Sequence, residues 1–130
     1  MKLNVLLENH IGLSCDGSWL VSVMKKVNLP NCGTLADFNN FNLPDGKSYD
    51  CYKGVGELMP FAKAVSAQTT GFDADGKPTG ADFRRLLKIV VDSGYRGYVE
   101  VEFSGENIPE AEGIRKSKQL LEKLRTELGT

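Results

Sequence analysis

The segment Asp82-Phe83-Arg84-Arg85-Leu86-Leu87-Lys88-Ile89-Val90-Val91-Asp92-Ser93-Gly94-Tyr95-Arg96-Gly97-Tyr98-Val99-Glu100-Val101-Glu102-Phe103 decides how the whole chain is read. Phe83, Leu86, Leu87 and Val90 recur at helical spacing and form one apolar stripe, which predicts a helix over Asp82–Ser93. Gly94 suits the left-handed position that ends a helix. Gly97–Phe103 then switches to strand-like alternation and closes on a carboxylate, Glu102. A helix feeding a strand that ends in an acid is the unit to look for elsewhere.

The unit recurs in both directions. Upstream, Asn4–Glu8 is a short apolar run ending in Glu8. Ser18 is placed to cap a helix over Trp19–Val27, in which Leu20, Val23, Met24 and Val27 share a face. Leu29-Pro30-Asn31-Cys32-Gly33 stops it, and Gly33–Phe38 is a second strand containing Asp37. A turn-rich loop, Asn39–Lys47, leads to a short helix at Tyr52–Phe61 that Gly54 and Gly56 interrupt. Ala64–Gln68 is the third strand. In the loop Thr69–Gly80, Asp73-Ala74-Asp75-Gly76 lacks the remaining acidic ligands of a calcium loop and reads as a turn. Downstream of Phe103, a final helix runs from Gly113 to Leu128. Four strands separated by helices imply parallel pairing through right-handed crossovers, an α/β fold.

Composition bounds the function. The chain has 130 residues, 41% of them apolar and 25% charged, with a net charge of −1. These are ordinary values for one globular domain. No apolar run approaches the roughly 18–20 residues of a membrane span. The first residues, Met1 to Glu8, meet a carboxylate too early for a signal-peptide core, so the expectation is a cytoplasmic protein. A pI near 5.8 carries no basic footprint for nucleic acid. Arg115-Lys116-Ser117-Lys118 lies in a helical pattern and reads as a solvated face. Cys15, Cys32 and Cys51 form no Cys-x-x-Cys pair, which argues against structural zinc and for three free thiols. His10 stands alone as a loop histidine, whereas Trp19, Phe83 and Tyr98 are expected in the core.

The chemistry gathers at the strand ends. Ligands of parallel α/β folds bind at the carboxyl ends of the strands, which is where Glu8, Asp37 and Glu102 stand. Side chains two apart share a face, so Leu6 and Glu8, Leu35 and Asp37, Ser66 and Gln68, and Glu100 and Glu102 line one side. The opposite faces carry Val5, Leu7, Thr34, Ala36, Val65, Ala67, Val99 and Val101, which suit contact with covering helices. Clustered carboxylates repel one another, and a divalent cation relieves that repulsion. Oxygen ligands suit magnesium or manganese, and an imidazole nearby would admit zinc, cobalt or iron.

Leu7-Glu8-Asn9-His10, Val27–Phe41, Met59–Gln68 and Asp92–Phe103, in that order and spacing, resemble the sugar phosphate isomerase/epimerase family, the xylose-isomerase-like barrels. The resemblance covers almost the whole chain and matches the C-terminal half of a (β/α)8 barrel. A complete barrel needs roughly 200–250 residues, more than this chain has. The resemblance implies a divalent metal (Mn, Mg, Co or Zn) on Glu8, Asp37 and Glu102. The third ligand position, often His, falls on Ser66, with Glu102 at the fourth, and Gln68 replaces the Lys common two residues later. It further implies isomerisation or epimerisation of a ketose-type sugar or sugar phosphate. Glu8 and Glu102 would pass the proton as base and acid, with His10, Asn40, Ser66 and Gln68 on substrate hydroxyls. Glu100, where a small residue is usual, requires either a partner or a wet inner face.

Two further expectations follow. A four-stranded half-barrel exposes two sheet edges and an inner face, so a homodimer or a separate N-terminal half-barrel is expected to cover them. The rival to an enzyme is a non-catalytic binding or assembly module, or a truncated remnant. The apurinic-endonuclease branch of the fold fits poorly, because it uses several metals with many His ligands and this chain has one His.

Overall fold

The structure is a computed structural model that describes residues 3–129. Strands and helices alternate as β1 (Val5–Glu8), α1 (Gly17–Val27), β2 (Cys32–Asp37), α2 (Cys51–Leu58), β3 (Ala62–Thr69), α3 (Phe83–Asp92), β4 (Val99–Phe103) and α4 (Glu110–Leu128). The strands form one sheet in the order β1-β2-β3-β4, and all three pairs are parallel. Right-handed crossovers explain this order: each helix returns the chain to start the next strand beside the last.

Aspartates begin three of the helices. Asp16 accepts the Trp19 N–H, Asp50 those of Tyr52 and Lys53, and Asp82 that of Arg85. Each satisfies donors that a helix start leaves unpaired. The cap of α1 is therefore Asp16 and not Ser18, whose hydroxyl instead donates to the Asp16 carboxylate at 2.6 Å. α4 begins after Pro109 with Glu110 and Glu112 in its first turn, favourable charges at that end of the helix dipole. Gly94 follows α3 at φ +82°, the left-handed stop that its position suggested.

The helices cover one face of the sheet. Ala36, Val65 and Ala67 from the strands meet Leu20, Val55, Leu58, Phe83, Leu86, Val90 and Leu124 from all four helices in one buried cluster. Phe83 is core, as expected. Trp19 and Tyr98 are not: they are 39% and 93% exposed, because they belong to the first and last strand–helix units, which have neighbours on one side only.

Register carries the curvature. Glu8 is level with Leu35 and Leu35 with Ala64, so Ser66 lies two residues above the level of Glu8. Asp37 is level with Ser66 and Ser66 with Glu100, so Glu102 lies two residues above the level of Asp37. An advance of two residues per two strands is the stagger of an eight-stranded barrel of shear 8. It groups inward side chains of alternate strands into shared layers, Glu8 with Ser66 and Asp37 with Glu102. A bulge adjusts the phase: Thr34 is level with Ala62 but Leu35 with Ala64, leaving Lys63 as one extra residue in β3.

The loops after β2 and β3 repeat one another at an offset of thirty residues. Leu43 N–H bonds to Lys47 O at 2.8 Å, and Asp73 N–H to Lys77 O at 2.9 Å. Asn42 bridges Ser48 as Phe72 bridges Pro78, and Gly46 and Gly76 turn both hairpins at positive φ. Asp73-Ala74-Asp75-Gly76 is thus a hairpin turn.

Candidate functional site

Glu8, Asp37 and Glu102 meet. Each offers a carboxylate oxygen, and these atoms all lie within 4.8 Å of one another. The stagger accounts for this: each acid sits where the barrel tilt brings its strand to the same rim.

Asp37 is the buried member, with no exposed surface. Its Oδ1 accepts the backbone N–H groups of Asn39 and Asn40, both at 2.8 Å. Its Oδ2 is buried without a hydrogen-bond partner. Burial pushes the Asp37 carboxyl up from 3.8 to about 6, against the pull of the Asn39 and Asn40 amides and with a further push from Glu102. Glu8 is raised too, first by burial; His10 nearby opposes this, and Glu102 and Glu100 add to it. Both shifts come from negative charge held close together with too little water.

Glu102 is held at both oxygens. Ser66 Oγ donates to Oε2 at 3.0 Å and Gln68 Nε2 to Oε1 at 2.8 Å. Ser66 is fully buried beside Asp37 and Gln68 nearly so. The single Ser66 hydrogen goes to Glu102, which leaves Asp37 Oδ2 unsatisfied. His10 is exposed in the loop after β1, where its backbone N–H bonds to Ser14 Oγ. Asn40 donates its backbone N–H to Asp37, and its side-chain Nδ2 is buried without a partner. Glu100 is exposed and forms no ion pair among the described residues, so the wet inner face is the observed outcome.

Three residues with no part in the sequence-based site tie the strand tips together. The Asn9 amide bonds to the backbone of Asp37, the Asn39 amide donates to Gln68 O, and Thr69 Oγ1 donates to Glu102 O at 3.2 Å. The only sequence signal was their position at or just beyond the strand ends. An apolar groove of about 560 Å³ between α3, β4 and α4 shares no residue with the acid cluster.

The cluster suits a divalent cation on its own chemistry. It supplies oxygen donors alone, and its buried Asp37 carries an Oδ2 with nothing to accept from. No imidazole joins it among the described residues. That donor set favours magnesium or manganese over zinc or cobalt.

No protein-family model and no curated protein matches the chain. Among solved structures it is similar to a xylose isomerase domain protein from Planctomyces limnophilus, with a TM-score of 0.62 at 14% identity. The likeness is one of fold: an α/β half-barrel. The match covers 97% of this chain and 47% of that one, so the chain spans about half the length of that protein. The half-barrel comprises four parallel strands alternating with helices, as the order of acids and apolar stripes implied. No helix among the described residues is long and apolar enough to cross a membrane.

Proposed function

We propose that this half-barrel holds a divalent cation, manganese or magnesium, on Glu8, Asp37 and Glu102, and moves a proton between adjacent carbons of a ketose-type sugar or sugar phosphate. The observation that carries this reading is the convergence of carboxylate oxygens of Glu8, Asp37 and Glu102 within 4.8 Å at the strand tips, with the buried Asp37 also carrying an unpartnered Oδ2. A bound cation supplies Lewis-acid polarisation of the substrate carbonyl and its neighbouring hydroxyl. Glu8, its carboxyl raised by burial, accepts a proton from the carbon beside the carbonyl. Glu102, oriented by Ser66 and Gln68, starts the step protonated and donates that proton to the adjacent carbon or to the opposite face, and exchange with water afterwards returns Glu8 and Glu102 to their starting states. Asp37 anchors the cluster. Asn40 Nδ2, a buried donor without a partner, and the exposed His10 are available for substrate hydroxyls.

A second reading, a non-catalytic binding or assembly module, draws support from Ser66: its hydroxyl is engaged by Glu102, and no imidazole completes the ligand set. In either case we propose that a second four-stranded half, a second copy of this chain or a separate polypeptide, covers the free edges of β1 and β4.

Manganese soaking with anomalous diffraction, paired with a ketose epimerisation and isomerisation panel, separates the two readings. The enzyme reading expects an anomalous peak among Glu8, Asp37 and Glu102, and turnover that Glu102→Gln lowers by about 10²-fold or more, the scale of acid–base catalysis. No peak and no turnover on a broad panel leaves the assembly module.

A further inference from the structure

We infer that Asn9 is a positioning residue: its side-chain amide stands in for the next rung of the β1–β2 ladder and so holds Asp37 in the acid cluster. The backbone ladder ends where Glu8 is level with Leu35. Beyond it the chain leaves the sheet, with the His10 N–H turned to Ser14 Oγ at 3.0 Å. β2 continues two residues further, so the N–H and C=O of Asp37 face a strand that is no longer there. Both groups would be buried without partners. Asn9, with no exposed surface, meets both: Asp37 N–H donates to Asn9 Oδ1 at 2.8 Å, and Asn9 Nδ2 donates to Asp37 O at 3.0 Å. The same Nδ2 reaches Asn40 O at 3.3 Å. A primary amide presents one acceptor and two donors in a plane, the pattern of a peptide edge plus one extra hydrogen. Asn9 therefore keeps β2 extended through Asp37 and fixes the turn at Asn40 that supplies one of the Oδ1 donors. An aspartate there would lack the donors, and an alanine both functions. The side chain bonds to backbone groups of Asp37 and Asn40, and its effect passes through Asp37.

The consequence for cation affinity rests on the proposed function, so the experiment reads the positioning by itself as well. In the full chain, Asn9→Ala and the milder Asn9→Ser are compared with wild type and with Val55→Ala, a core variant in α2 that is none of the three acids. Two quantities are measured: amide hydrogen exchange at Asp37, without cation, and Mn2+ affinity by calorimetry. The Asn9 variants are expected to speed exchange at Asp37 by at least about tenfold relative to the Phe38 amide, which bonds to Ser66 O instead. They are expected to weaken Mn2+ binding about 10–100-fold, the usual effect of removing a support behind a ligand. Val55→Ala is expected to lower the melting temperature and change neither. Unchanged exchange at Asp37 in both Asn9 variants overturns the inference, as does a Val55→Ala effect of equal size. If wild type takes up no Mn2+, the cation reading fails, and the positioning role stands or falls on the exchange measurement.

Discussion

Asp37 stores a conflict that the protein tolerates for its site. With no exposed surface and an unpartnered Oδ2, its carboxyl is raised from 3.8 to about 6. Between those values the folded chain keeps a proton that the unfolded chain has lost. Stability from this group is therefore full below about pH 4, falls as pH rises towards 6, and is flat above. Such a shift is worth on the order of 3 kcal/mol. Asp37→Asn removes it while leaving an oxygen for the Asn39 and Asn40 amides. In chelator, thermal unfolding is expected to show the variant more stable than wild type at pH 7, the gain shrinking towards pH 4. Adding Mn2+ is expected to reverse the order, since only wild type gains from a bound cation. The acids of the site were legible as strand-terminal carboxylates. What Ser66 and Gln68 do was not, because their bonds to Glu102 depend on the pairing of β3 with β4, which no local pattern reveals. Asn9 was hidden for the same reason: its partner is twenty-eight residues away.

At the scale of elements, the sequence pattern located the four strands and four α-helices, with errors at the ends, but not the 3-10 turn at Gly12–Cys15 nor that the expected Tyr52–Phe61 helix passes into a 3-10 turn at Met59–Phe61. β3 runs Ala62–Thr69, longer than the Ala64–Gln68 run at both ends: Ala62 is level with Thr34 before the bulge at Lys63, and Thr69, polar but buried, bonds to Glu102 O and to Ser117 Oγ of α4. The last helix starts at Glu110, three residues before the expected start at Gly113. Gly54 is instructive. It suggested an interrupted helix, yet α2 runs through it unbroken. A Cβ at Gly54 would fall inside the buried Phe41 ring, which stacks on Tyr49. The glycine marks where the loop after β2 presses on α2, and not a break. Gly54→Ala gains about 1 kcal/mol in helix propensity, but overpacking costs typically 1–3 kcal/mol. Denaturant titration is expected to show net destabilisation, whereas Gly56→Ala, where the nearest atom is Ile89 Cγ2 at 3.8 Å, is expected to be neutral or stabilising. The paired hairpins escaped notice because only Asp-Gly-Lys is common to Asp45–Lys47 and Asp75–Lys77. Their likeness lies in hydrogen bonds, not letters.

At the scale of the molecule, exposed apolar surface is unevenly placed. Every large apolar side chain found exposed lies in residues 3–29 or 98–114, the first and last strand–helix units, and none in the two between. Leu3, Val5 and Leu29 are more than half exposed at the β1 end, and Tyr98 at the β4 end. Light scattering coupled to size exclusion is expected to give about twice the 14.2 kDa chain mass. A clean monomer at micromolar concentration counts against self-association and leaves a separate polypeptide as the cover. Aspartate substitution at Val5 is expected to shift the balance towards monomer by placing a charge on the free edge. The bulge at Lys63 has a consequence for all of this. Side chains in a strand alternate, so if Lys63 were paired in register with Leu35 instead of bulged, Val65 would come to the level of Asp37 in place of Ser66. Every group beyond it in β3 would exchange inside for outside, and Glu102 would lose both its supports while the acids themselves remained. The bulge at Lys63 is thus the molecule's parity bit: one residue held out of register decides which alphabet, polar or apolar, the third strand displays at the rim.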